Sequence, residues 1–171
     1  MVRKFDFIVV GSGIAGMSFA LKVAHKGKVA ILCKNKLEES NTHYAQGGIA
    51  SVTNDTDNFE KHISDTLIAG DGICNEEVVR KVVENAPQEI EALVNWGVDF
   101  DKDDEGNFDL HKEGGHSEFR ILHHKDSTGA EIQSSLIKRI KNHPNIEVFE
   151  NYFAIEIITQ HHLGQLVKHT T

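Results

Sequence analysis

The stretch Phe5–Gly16, FDFIVVGSGIAG, decides the fold. Asp6 aside, Phe5 to Val10 is an apolar run of strand length, rich in β-branched residues. Gly11, Gly13 and Gly16 then form G-x-G-x-x-G, and Ile14, Met17, Leu21 and Ala24 continue at helical spacing. Strand, glycine turn and helix in that order describe a dinucleotide site. Gly11 permits the tight turn, Gly13 lets backbone approach a pyrophosphate, and Gly16 lets helix and strand pack closely. The free N–H groups of the helix start, at the positive end of its dipole, face the phosphates.

The bulk numbers narrow the class. A chain of 171 residues is enough for one domain or a little more. A formal net charge of −8 argues against a nucleic-acid or anionic-membrane surface. Cys33 and Cys74 are too few for a disulfide framework and form no CxxC pair, and Cys33 reads as a small core residue. No apolar run approaches membrane-spanning length. Arg3, Lys4 and the first apolar run imitate a signal peptide, but Asp6 interrupts the run, which reads as a sheet strand. A soluble, cytoplasmic protein is the expectation.

Strand Phe5–Val10, helix Ile14–His25, a stop at Gly27 and strand Val29–Lys34 make a βαβ unit. Nicotinamide proteins place an acid at the end of the second strand to hold a ribose. Lys34 stands there instead, and Glu38 and Glu39 come too late, which weakens a plain NAD-dehydrogenase reading. Lys34 is either a cation near a phosphate or a solvated strand end. Ser40–Ala50, SNTHYAQGGIA, has no clear period and reads as a loop lining the cofactor or as an ordinary polar loop.

Three helices should follow. Asp57 or Asn58 caps one that runs to Ala69, and Asn75 caps Glu76–Ala86. Pro87 opens a third that runs through Trp96. Val98–Leu110 has strand-like ends around the turn cluster DKDDEGN. Asp101, Asp103, Glu105 and Gly106 imitate a calcium loop, but Lys112 falls where a bidentate glutamate is required. His111, His116, His123 and His124 match no familiar ligand spacing, so pocket or surface histidines and no metal are expected. Glu113-Gly114-Gly115-His116 places a carboxylate beside two glycines, suited to closing on a small substrate or to a simple hairpin turn. Ser127–Asn142 reads as a helix, and Ile146–Phe149 and Ala154–Thr159 as strands, with Gly164 in a turn beyond. Ile146–Phe149 is expected beside Phe5–Val10 as a third parallel strand.

Several motifs taken together are more specific. They are GSGIAG from Gly11, AQGGIA from Ala45, DTLIAGDGICN from Asp65 and GVDF from Gly97, with EGGHS from Glu113, RILH from Arg120 and STGAEI from Ser127. With these the chain resembles, over essentially its whole length, the flavoprotein subunits of the succinate dehydrogenase and fumarate reductase family, and within it the aspartate-oxidising branch. The dehydrogenases carry, directly after a serine, a histidine that bonds covalently to the flavin. Here that place is Asn41, and His43 falls two residues late, so the resemblance implies FAD held non-covalently. Where dehydrogenases and reductases typically carry phenylalanine stands Glu113, a carboxylate able to pair with the ammonium of an amino-dicarboxylic acid.

The resemblance also implies roles. Gly11, Ser12, Gly13, Ile14, Ala15 and Gly16 should cradle the FAD pyrophosphate, with Lys34 near the adenosine half. Asn41, Thr42, His43, Tyr44, Ala45, Gln46, Gly47 and Gly48 should line the flavin and its diphosphate, and Phe153 and Ala154 the adenine. Glu113 should orient L-aspartate, with Gln46 and His116 nearby. The implied reaction oxidises L-aspartate to iminoaspartate, with oxygen or fumarate as acceptor, in NAD biosynthesis; hand-over of product to quinolinate synthase would follow. The implied fold class is α/β. An incomplete Rossmann-like FAD-binding domain with a parallel sheet (1–50 and 127–171) carries a helical and hairpin insertion (51–126) facing the substrate. Family members run far past Thr171, and their later part supplies an arginine and histidines of the active site. The chain therefore reads as an N-terminal fragment not expected to oxidise aspartate alone. Two alternatives stand: a fumarate- or succinate-active relative, and a non-catalytic FAD-binding module.

Overall fold

The structure is a computed structural model that describes residues 2–162 and Gly164. The last residues of the 127–171 segment, 165–171, lie outside the described residues. In chain order the elements are β1 (Phe7–Val10), α1 (Ile14–Val23), β2 (Val29–Cys33), β3 (Ile49–Ala50) and α2 (Phe59–Ala69). Then come α3 (Glu76–Asn95), β4 (Leu110–His111), β5 (Ile121–Leu122), α4 (Thr128–Lys141) and β6 (Ile146–Glu150). β1, β2 and β6 form a parallel sheet in the order β1-β2-β6, and β3, β5 and β4 a small antiparallel one in the order β3-β5-β4.

The third parallel strand lies beside β2, not beside β1 as expected. Composition explains this. β2 is apolar at every position, VAILC, with four of its five residues buried, so it belongs at the centre. β1 buries Val9, but Ile8 and Val10 are 64% and 62% exposed, the pattern of an edge with one covered face. α1 and α4 pack over that covered face, and Val9, Met17, Ala20, Ile31, Leu136 and Ile140 form the centre of the core. Cys33 joins them, as expected of a small core residue. Asp6 stands outside β1, and its carboxylate accepts a bond from Lys28 N–H at 2.7 Å, which closes the turn into β2.

Two further expectations fail. Pro87 does not open a new helix, because α3 runs through it from Glu76 to Asn95. A proline inside a helix costs ~3 kcal/mol. Val83, Ile90 and Leu93 are buried along one stripe on both sides of Pro87, and each contributes roughly 1.5–3 kcal/mol of burial. Burial wins. Ala154–Thr159 is not a strand, for it pairs with nothing among the described residues and leaves Ile155 91% exposed. An alternating pattern makes a strand only where a neighbour completes the ladder.

The helix caps follow the sequence. Asn58 accepts from Lys61 N–H at the start of α2, and Asn75 from Val78 N–H at the start of α3. The DKDDEGN cluster is a hairpin turn. The Asp103 carboxylate accepts from the N–H groups of Glu105 and Asn107, which closes the turn. Among the described residues no helix is long and apolar enough to cross a membrane.

Candidate functional site

The three parallel strands point their carboxyl ends to one edge, where ligands of open α/β sheets bind. At the end of β1, Gly11 adopts φ +107°, which a residue with a side chain rarely reaches. A Cβ on Gly16 would collide with the carbonyl oxygen of Gly11, so helix and strand pack as closely as the motif requires. Gly13 is the N-cap of α1 and offers no side chain to cap it. Met17 N–H makes the first bond along the helix, to Gly13 O at 3.0 Å, and Ile14 N–H is taken by the Thr42 hydroxyl at 3.0 Å. Ala15 and Gly16 supply the orphan donors of the first turn.

At the ends of the other two strands, Lys34 and Phe153 meet, with the ammonium 5.9 Å from the ring centre. Tyr152 N–H to Cys33 O, at 2.9 Å, holds the two chain ends together. Ala154 follows, exposed. These contacts place Lys34 and Phe153 one strand and two strands away from the glycine turn.

The 40–48 loop lies against the same edge, and two residues the sequence reading passed over fix it there. Gln133 of α4 is buried, and its amide reaches three segments at once. Nε2 donates to Ser12 O (3.1 Å) and Leu37 O (2.9 Å), and Oε1 accepts from Ser40 Oγ (3.0 Å). Gly129 donates to Ala45 O at 3.0 Å, and a Cβ there would strike the carbonyl oxygens of Thr42 and Ala45. Both sit in or beside the STGAEI motif, but only the fold shows what they touch. Asn41, His43, Tyr44, Ala45, Gln46 and Gly47 stay exposed around the half-buried Thr42. The Tyr44 hydroxyl bonds Glu39, which pushes the phenol pKa up. Gly48 serves the protein itself, because a Cβ there would meet Leu122 O across the β3–β5 pair.

Glu113 lies on an exposed turn closed by His116 N–H to Glu113 O at 3.2 Å, with Gly115 at φ +86°. Among the described residues its carboxylate makes no hydrogen bond or ion pair. His116 is half-buried and sits 3.2 Å from Arg120 Nη1 through its Nδ1. Arg120, fully buried, is the anchor of the turn and another residue the sequence reading left in a motif without a role. It forks onto Asp57 (2.7 and 2.8 Å) and reaches Asp65 with Nη1 (2.6 Å). Asp65 also accepts from the N–H and hydroxyl of Ser117, so α2 pins the turn from below. Burial alone would raise the Asp65 pKa. The bonds from Ser117 and Arg120 outweigh it and bring it to about 2. Burial and the Arg120 charge push His62, packed beside His116, below the ordinary histidine range.

Comparison with known proteins fits this geometry. The sequence matches the FAD binding domain family over residues 6–169. The chain belongs to that family. Its cofactor is FAD, and the glycine turn with its orphan donors fits the phosphates of such a dinucleotide. Among curated proteins the chain is 48% identical over 167 residues to an L-aspartate oxidase of Vibrio cholerae, matching 95% of this chain and 31% of that protein. It is 46% identical over 157 residues to a chloroplastic L-aspartate oxidase of Arabidopsis thaliana, matching 92% of this chain and 24% of that protein. The chain thus spans between about a quarter and a third of the length of these relatives. Among solved structures, E. coli quinol fumarate reductase superposes with a TM-score of 0.81 at 31% identity, over 86% of this chain and 26% of the other.

Proposed function

We propose that this FAD binding domain serves the oxidation of L-aspartate to iminoaspartate, with oxygen or fumarate as final acceptor, in NAD biosynthesis. The observation that carries the reading is Glu113: an exposed carboxylate that pairs with no cation among the described residues, on a turn where Arg120 is already paired with Asp57 and Asp65, and Glu118 with Lys61. An ammonium is the group such a carboxylate holds. Succinate and fumarate have none, and their carboxylates would be repelled. The aspartate oxidases among its relatives support the same choice.

Ala15 and Gly16 N–H would hold the non-covalent FAD pyrophosphate, with the rest of Gly11–Gly16 shaping the turn. Lys34, Phe153 and Ala154 would flank the adenosine half, and Asn41–Gly48 the flavin half. FAD supplies the two-electron acceptor. Glu113 would fix the substrate ammonium and so turn the Cα–H towards the flavin, while Gln46 and His116 line the substrate. On this reading the inserted segment 51–126 presents the substrate turn, and 1–50 with 127–171 hold the cofactor. Cytoplasmic location and release of iminoaspartate to quinolinate synthase complete the proposal.

Two of the three cations around the turn are paired: Arg120 serves Asp57 and Asp65, and Lys61 pairs with Glu118 at 2.6 Å. Lys112, which donates to Ser117 O at 2.8 Å, keeps its charge unpaired, one cation for the two carboxylates of aspartate. The chain loaded with FAD is therefore expected to keep its yellow absorbance on anaerobic addition of L-aspartate. Bleaching would show that the 171 residues suffice for chemistry. In calorimetric titrations of the FAD-loaded chain, Glu113→Gln should weaken L-aspartate by ~1–3 kcal/mol and, with the repulsion removed, leave fumarate as tight or tighter. Equal loss of both ligands would remove the ammonium assignment.

A further inference from the structure

β4 and β5 pair antiparallel with Leu110 opposite Leu122 and His111 opposite Ile121. One step along that register sets Asp109 across from His123, and Asp109 and His111 share a strand face because side chains alternate. One donor atom from each of Asp109, His111 and His123 lies within 4.8 Å of the others. The two imidazoles stack with centroids 3.6 Å apart, and the exposed His111 ring would swing off that stack to aim its nitrogen at a shared ion. The His123 side chain is only 9% exposed, and among the described residues neither of its ring nitrogens has a hydrogen-bond partner. Buried polar atoms left unpartnered are rare enough to require a reason.

We propose that Asp109, His111 and His123 bind a divalent transition-metal ion of the zinc type. Two imidazole nitrogens and one carboxylate oxygen are the donor set of zinc sites that keep a fourth position for water. Calcium and magnesium, which take oxygen donors, are disfavoured by the two imidazoles. His123 Nε2 lies 3.7 Å from Asp109 Oδ2, and its Nδ1 lies 3.3 Å from Asp101 Oδ2. With Nε2 on the ion, Nδ1–H turns to Asp101, the carboxylate–histidine–metal arrangement that fixes the tautomer. Asp101 is itself held, accepting Lys125 N–H at 2.6 Å. His111 and His123 bracket the segment with Glu113, His116 and Arg120, so the ion fastens both ends of that turn. The site does not depend on the proposed reaction.

The chain, stripped with a chelator, is titrated with Zn²⁺ against a chromophoric competitor and with Co²⁺ in the visible. A single equivalent should bind, and cobalt should give the ligand-field band of four-coordination. His111→Asn, at an exposed position that leaves the fold intact by circular dichroism, should lower zinc affinity roughly tenfold or more. Asp109→Asn should do the same. The double variant His161→Asn with His162→Asn, in the exposed tail, should bind as the parent does. Parent-like affinity in His111→Asn, or loss of binding in the tail variant, would overturn the site. So would the absence of stoichiometric binding.

Discussion

Arg120→Met is expected to destabilise the chain by ~3–5 kcal/mol, because it strands the buried Asp57 carboxylate and leaves Asp65 without its ion pair. That is a large share of the roughly 5–15 kcal/mol by which a domain is stable. The urea midpoint at neutral pH measures it. Adding Asp57→Asn and Asp65→Asn to Arg120→Met should restore a large part of the loss, since no unpaired charge then remains buried. A single variant within ~1 kcal/mol of the parent would mean that the network is not what holds the turn. The same network sets an acid limb. Asp57 and Asp65 are held below their ordinary range in the fold, so the stability they confer is complete above the unfolded value near ~3.9. It is lost as pH falls towards the folded value, about 2 for Asp65. His62 adds an earlier limb. Kept neutral in the fold, it opposes folding once the unfolded chain binds its proton, below roughly pH 6.5. The Arg120→Met variant should lose the carboxylate limb.

Gly129→Ala should have the second largest effect and act on the cofactor. The new Cβ would stand 2.6 Å from Ala45 O and closer still to Thr42 O, and backbone oxygens cannot swing aside as a side-chain tip can. The 40–48 loop must move off α4, which loosens the Thr42 bond to Ile14 N–H at the mouth of the glycine turn. Overpacking of this kind costs ~1–3 kcal/mol, and FAD affinity should fall about tenfold or more as the loop is displaced. Flavin absorbance titration and a thermal melt on the same sample separate the two losses. FAD affinity equal to the parent's would show that the loop position is immaterial to the cofactor.

The unit of strand, glycine turn and helix was legible because its parts are consecutive in the chain. Strand, glycines and helix lie within Phe5–Ala24, and a backbone conformation such as that of Gly11 leaves its mark on the residue type. Local rules also placed the caps Asn58 and Asn75 and the turn at DKDDEGN. They failed where a long-range contact decided the outcome. Pro87 reads as a helix start until Val83, Ile90 and Leu93 are seen to share one buried stripe, and Ala154–Thr159 reads as a strand until its neighbour is sought.

The amino-acid sequence by itself determined the α/β class, the dinucleotide turn and the lysine in place of a ribose acid, each a property of residue type and near-neighbour spacing; Glu113 stood out only through the family resemblance. Only the tertiary structure decided that β6 lies beside β2, that Gln133 and Gly129 hold the 40–48 loop, and that Arg120 is neutralised by Asp57 and Asp65. It likewise brought Asp109, His111 and His123 together. The reason is physical. Burial and hydrogen bonding act between groups more than a hundred residues apart, as between Ser12 and Gln133, and no local window records which of them will meet.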